Sequence, residues 1–67
     1  MTVTLNGKLT SVEGTDLTVT QFVKNLDIGE QPVLVELNGE AILVREFDDF
    51  HVKDGDTLEV IRMVAGG

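Results

Sequence analysis

The chain has 67 residues, twelve of them acidic and five basic, which gives a formal net charge of −7, and it has no cysteine. This length supports one domain with a single small core rather than a core and a deep catalytic cleft, and the missing thiols exclude disulfides, thiolate metal sites and a cysteine nucleophile. The negative charge opposes binding to phosphate backbones and anionic lipids, so we expect neither nucleic acid nor membrane among the partners.

The first residues predict a β-hairpin. Residues 1–5 alternate polar and apolar side chains and then meet Asn6-Gly7, the dipeptide most typical of a two-residue hairpin turn. Such a turn places Leu5 opposite Lys8 and Val3 on the inner face with it. The same register points Leu9 outward.

A helix is predicted next. Apolar residues recur at helical spacing at Val19, Phe22, Val23 and Leu26. Thr18 and Gln21 form the pattern of a capping box, which marks the start of a helix. Gly29 can adopt a left-handed stop. We therefore expect a helix from about Val19 to Asp27.

A second hairpin is predicted around Asn38-Gly39, with strands at 33–37 and 40–44. Its register places one set of side chains on the inner face: Val33, Val35, Leu37, Ile42 and Val44. The opposite face then carries Leu34, Ala41 and Leu43, and it is more apolar than contact with solvent would favour.

The last third of the chain predicts a connection and a final strand. Residues 45–56 carry mixed charge and are interpreted as a connecting segment held to the body by Phe47 and Phe50. Thr57 to Val64 is predicted as a strand whose alternation points Leu58 and Val60 inward and Ile61 and Met63 outward.

The order hairpin, helix, hairpin, strand predicts an α+β fold, a mixed sheet of four to five strands packed on one helix. A long crossover would bring the first and last strands together in parallel, which is the arrangement of a β-grasp, or ubiquitin-like, fold. We expect a domain over residues 1–64 and a flexible tail at 65–67. The chain has no run of ~20 apolar residues and no leader-like N-terminus, so we expect it in the cytoplasm.

Three segments resemble the ThiS family of ubiquitin-like sulfur carriers, within the wider group that includes MoaD. They are 35–40 (VELNGE), 53–56 (KDGD) and 64–67 (VAGG), and the resemblance extends over essentially the whole chain. It implies that the Gly67 carboxylate is adenylated by an E1-like enzyme using ATP and Mg²⁺ and is converted to a thiocarboxylate. Gly66 is its required neighbour, and Ala65 completes the tail.

The resemblance also implies the partners. Besides the activating enzyme, we expect a sulfur donor protein and a sulfur acceptor such as the thiazole synthase of thiamine biosynthesis. The chain itself would be a modified cosubstrate rather than an enzyme, with no catalytic residue, no metal site and no cofactor of its own. Many family members have a proline-arginine pair where this chain has Val44-Arg45. This difference concerns the assignment to the thiamine pathway more than the assignment as a carrier.

Two other functions stay open at this point. The first is the small subunit of molybdopterin synthase, or a carrier for another sulfur pathway, which would share the fold and the terminal glycines. The second is a noncovalent β-grasp interaction module whose tail has no role. Modification at Gly67 would separate the carriers from the interaction module.

The four extended residues 64–67 reach at most ~14 Å, so the body of a carrier must dock beside the partner's active site. The candidate docking residues are Ile61, Met63, Leu34 and Leu43. The alternative interpretation is ordinary surface, since single exposed apolar residues are common. His51 is interpreted as a solvated loop residue. The acidic residues between 48 and 56 are interpreted as turn formers and surface charge.

Overall fold

The computed structural model describes residues 1–29 and 32–63. Its elements, in chain order, are β1 Thr2–Leu5, β2 Lys8–Ser11, β3 Asp16–Thr18, α1 Val19–Asn25, β4 Val33–Leu37, β5 Glu40–Ile42, a 3₁₀ helix at Val44–Glu46, β6 His51–Lys53 and β7 Thr57–Arg62. Within this part of the chain, no helix is both long enough and apolar enough to cross a membrane.

Five of the strands form one mixed sheet in the order β2-β1-β7-β4-β5. The first and last strands, β1 and β7, are parallel neighbours, whereas β7 and β4 are antiparallel. Buried residues of α1 pack on this sheet in a single core. The predicted β-grasp arrangement is therefore confirmed.

Both predicted hairpins turn at Asn-Gly. The asparagines Asn6 and Asn38 have φ values of 50° and 51°, and each following glycine is also positive, which is the type I′ geometry that matches strand twist. The register of the first hairpin pairs Leu5 with Lys8, as predicted. Leu9 lies opposite Thr4 and is 82% exposed on an edge strand.

The helix begins where the capping box predicts. The Thr18 side chain accepts a hydrogen bond from the Gln21 backbone N–H, and the Gln21 side chain accepts one from Thr18 N–H. The predicted end was wrong by two residues, because α1 ends at Asn25. Asp27, with φ of 54°, is the first residue past the helix in the left-handed region, and it stops the helix before Gly29 is reached.

The second hairpin is shorter than predicted. β5 ends at Ile42, and the chain then enters the 3₁₀ helix, where the Glu46 carboxylate accepts a hydrogen bond from the Leu43 N–H. Val44 therefore leaves the inner face on which the alternation placed it and is 67% exposed. Val33, Val35 and Ile42 are buried as expected.

The connecting segment has more structure than its sequence predicts. β6 pairs antiparallel with β3 in a two-stranded sheet, with Val52 opposite Leu17, and the sequence indicates neither strand. Three-residue strands with polar flanks are too short to show an alternation. The predicted anchoring by aromatics is confirmed, since Phe47 is buried and Phe50 packs against the core.

β7 supplies the centre of the core. Leu58 is completely buried and Val60 nearly so, which confirms the predicted inward face of the last strand. The strand ends at Arg62, and Val64, its predicted end, lies outside the described residues.

Leu58→Ala and Ile61→Ala test the two faces of β7 within one strand. The first removes a completely buried side chain and should lower the free energy of unfolding by about 2–5 kcal/mol. That is a large fraction of the roughly 3–10 kcal/mol expected for a chain of this size. The second removes a half-exposed side chain and should cost less than about 1 kcal/mol. Urea denaturation measures both, and equal losses would contradict the assignment of faces.

Candidate functional site

The tail residues predicted to carry the chemistry, Ala65, Gly66 and Gly67, lie outside the described residues, so their roles stay predictions. The structure does describe the chain up to Met63. The Met63 N–H donates a hydrogen bond to the Pro32 carbonyl oxygen at 2.9 Å, which extends the pairing with the β4 side one residue past the end of β7. Met63 is thus the last described point from which the tail departs.

The candidate docking residues come together on the outer face of the sheet, away from α1. Leu34 lies directly across from Ile61, and Met63 follows on the same side of the chain. Leu43 directly follows Ile42, which pairs with Val35 next to Leu34, and it lies one residue past the end of β5. We call Leu34, Leu43, Ile61 and Met63 the outer apolar patch.

All four side chains of the outer apolar patch are exposed, Leu34 by 41%, Leu43 by 49%, Ile61 by 50% and Met63 by 57%. Their predicted outward orientation is confirmed. Leu34 and Ile61 are directly paired on adjacent strands, with Met63 just past the end of β7 and Leu43 just past the end of β5, which distinguishes the patch from scattered surface residues. Their role in binding a partner stays a prediction.

Two carboxylates border the patch. Glu36 on β4 lies directly across from Glu59 on β7, one row further from the tail. Glu36 is half-buried and Glu59 exposed, and within the described residues neither forms a salt bridge. Like charges directly opposite each other on a sheet are destabilising. The outer face therefore combines exposed apolar surface with unrelieved negative charge.

Two asparagine side chains hold β7 from opposite ends. Asn6 Oδ1 accepts a hydrogen bond from the Val60 N–H at 2.9 Å, and Asn6 Nδ2 donates to the Val60 carbonyl oxygen at 3.3 Å. Asn38 Oδ1 accepts from the Thr57 N–H at 2.9 Å. Sequence reasoning assigned both asparagines to turns alone and missed these contacts. The repeated Leu-Asn-Gly triplet was the available signal.

The remaining polar candidates have structural partners. His51 was interpreted as a loop residue, but it lies in β6, and its Nδ1 is 2.8 Å from Asp16 Oδ1 on the paired strand. Asp56 Oδ2 accepts from the Lys53 N–H three residues back, as a turn-forming carboxylate does. Asp54 Oδ1 accepts from the Thr2 N–H and so joins this turn to the start of β1. Within residues 1–29 and 32–63, no three potential metal ligands converge.

Comparison with known proteins identifies the family. The model of the ThiS family matches residues 3–67, almost the whole chain. The chain belongs to the ThiS family. The resemblance drawn from the three short segments is thereby confirmed.

Individual members of the ThiS family agree in sequence and in fold. The sulfur carrier protein ThiS of Thermus thermophilus is 35% identical over 63 residues, which are 94% of this chain and 95% of that protein. The crystal structure of the thiamine biosynthesis protein ThiS from Geobacter metallireducens is 40% identical, with a TM-score of 0.85 over 100% of both chains. A solution structure of a thiamine biosynthesis protein from the same organism has a TM-score of 0.83 to this chain, and the match covers 100% of this chain and 88% of that one.

Replacing Glu59 by Gln tests the electrostatic conflict on the outer face. Glu59→Gln keeps the shape of the side chain and removes one of two opposed charges, so it should raise the free energy of unfolding by about 0.2–1 kcal/mol. Glu13→Gln, an equal change of charge at an exposed position outside the strands, serves as the control. The gain should shrink in high salt because exposed charges are screened. No gain over the control would show that the two carboxylates do not repel.

Proposed function

We propose that this chain is a sulfur carrier protein of thiamine biosynthesis. In this proposal, an E1-like enzyme using ATP and Mg²⁺ adenylates the Gly67 carboxylate, which then becomes a thiocarboxylate and gives its sulfur to the thiazole ring. The observation that carries the proposal is the ThiS family match over residues 3–67, supported by the 35% identity to a sulfur carrier over nearly the full length of both proteins.

The chemistry needs a terminal carboxylate and an external activator. A carboxylate is a poor electrophile, because its charge repels nucleophiles and its oxygen is a poor leaving group. Attack of a Gly67 oxygen on the α-phosphorus of ATP releases pyrophosphate and forms an acyl-adenylate. Hydrosulfide then adds to the carbonyl carbon, the carbon–oxygen bond to the phosphate breaks, and AMP leaves. A chain without cysteine has no thiol of its own that could hold this sulfur.

The outer apolar patch supports the proposal that the body docks on its partners. Residues 64–67 can reach at most ~14 Å beyond Met63, so an active site that acts on Gly67 lies close to the sheet. Ile61 and Met63 are the exposed apolar side chains of the patch that lie nearest to the tail along the chain. A methionine suits a surface that meets an activating enzyme and then an acceptor, because its side chain adapts to different neighbours.

In this cycle the chain is a cosubstrate and the catalysis belongs to its partners, which we place in the cytoplasm with it. The glycines suit that role because a backbone without Cβ atoms passes through a narrow channel to the activating site. The thiamine pathway follows the names of the relatives in Thermus thermophilus and Geobacter metallireducens. Delivery to molybdopterin synthase and noncovalent binding without modification are the alternatives that experiment must separate.

Intact-mass spectrometry tests the modification. The protein is incubated with an E1-like activating enzyme, ATP, Mg²⁺ and a sulfide source, with a known carrier converted in parallel. We expect a mass gain equal to one sulfur replacing one oxygen, located on Gly67 by fragmentation. A variant lacking Gly67 should show no gain. Recovery of only the unmodified chain beside a converted control carrier would refute the proposal, and sulfur delivery to a molybdopterin synthase instead of a thiazole synthase would reassign the pathway.

Aspartate substitutions test the docking surface. Ile61→Asp and Met63→Asp each place a charge in the outer apolar patch and should raise the KM of the carrier in the adenylation assay about tenfold or more. Leu9→Asp is the matched control, since Leu9 is exposed on the outer face but on the edge strand β2. Thermal melting of each variant verifies folding. A rise in KM that is equal for Leu9→Asp and for the patch variants would contradict the assigned location.

A further inference from the structure

The second half of β7, which leads to the tail, has no neighbouring strand on its β1 side. β1 pairs with β7 at Thr4 and Leu5 only, opposite Thr57 and Leu58, and then turns away at Asn6-Gly7. The backbone N–H of Asn6 donates to the Leu58 carbonyl oxygen at 2.9 Å, as the last backbone hydrogen bond described on that side. From Val60 onward, backbone pairing within the described residues comes from the β4 side.

The Asn6 side chain takes the place of the missing strand. Its primary amide carries one acceptor and one donor, as a peptide group does, and it bonds both the N–H and the carbonyl of Val60. The side chain lies beside an open depression lined by Leu26, Ile28 and Arg62, where a longer β1 would have continued. On this side of β7, the Asn6 amide is therefore the final described hydrogen-bonding contact before the tail.

The turn alone does not account for this side chain. A type I′ turn needs positive φ at its first central residue, and glycine satisfies that requirement as well as asparagine does. Asn38 occupies the same position of the same kind of turn with nearly the same φ, yet its amide bonds Thr57, at the start of β7. The two asparagines thus hold the same strand at its beginning and near its end.

We propose that Asn6 is a positioning residue of the carrier: its amide orders the end of β7 and so fixes the position of the strand residues that precede the tail. This inference rests on the proposed function. Val60 lies immediately before Ile61 and close before Met63, so the same contact orders the part of the chain that carries these two residues of the outer apolar patch. An end already ordered in the free protein loses less conformational entropy when it docks, which strengthens binding. Asn6 does not touch the reacting atoms, so its effect falls on KM rather than on kcat.

Asn6→Gly and Asn38→Gly form a matched pair of variants. Each variant keeps a residue that accepts positive φ and removes one side-chain amide. Asn6→Gly removes the contact with Val60, and Asn38→Gly removes the contact with Thr57 at the start of β7. Loss of the Asn6 contact should lower kcat/KM for adenylation about tenfold, mainly through KM, because the freed end of β7 must then be ordered when the carrier docks. Asn38→Gly should change kcat/KM less than about twofold. Hydrogen exchange should lose protection at the Val60 amide in the first variant and at the Thr57 amide in the second.

Asn6→Asp gives a second measurement that preserves the turn. A carboxylate still accepts from the Val60 N–H, but its second oxygen has no hydrogen to donate and faces the Val60 carbonyl oxygen, so kcat/KM should fall below that of the wild type. If Asn6→Gly does not fold, the kinetics of Asn6→Asp test the positioning role instead. Wild-type kinetics in both Asn6 variants, or equal losses in Asn6→Gly and Asn38→Gly, would overturn the positioning role. Failure of the wild-type chain itself to be modified would instead overturn the proposed function.

Discussion

The structure depends on the position of β7 between β1 and β4. This strand pairs in parallel with one neighbour and antiparallel with the other, and its inward residues Leu58 and Val60 lie in the middle of the core. Its outward residue Ile61 belongs to the outer apolar patch. The strand that stabilises the fold is therefore also the strand that precedes the tail. The tail is joined to the sheet at its central strand.

Local chemistry made much of this fold predictable. The Asn-Gly turns fix the hairpin registers, and the Thr18–Gln21 capping box fixes the start of the helix, because each depends on residues close together in the chain. The end of α1 was placed too late, because Asp27 already has a positive φ in the structure, two residues before Gly29, and the sequence signalled only the glycine as a stop. β3 and β6 escaped notice because each is stabilised by the other across a long separation in sequence.

Only part of the candidate site, too, could be predicted from the sequence. Alternation along β4 and β7 predicted that Leu34, Ile61 and Met63 face outward, because a strand reverses its side chains at every residue. It could not show that Glu36 meets Glu59, nor that the Asn6 amide reaches Val60, because both contacts depend on which strands are neighbours. Exposed apolar side chains and opposed like charges both lower the stability of an isolated domain. Their presence on the outer face supports the proposal that a partner protein binds there.

The pairing of β1 with β7 also governs how the chain folds. These strands come from opposite ends of the sequence, so β1 and its hairpin have no central neighbour until β7 has been synthesised. Contacts of such long separation close late and slow the folding of a small domain. A chain that stops before residue 57 lacks both the central strand and the tail. Because β7 is the central strand, the five-stranded sheet can form only after this strand has been synthesised.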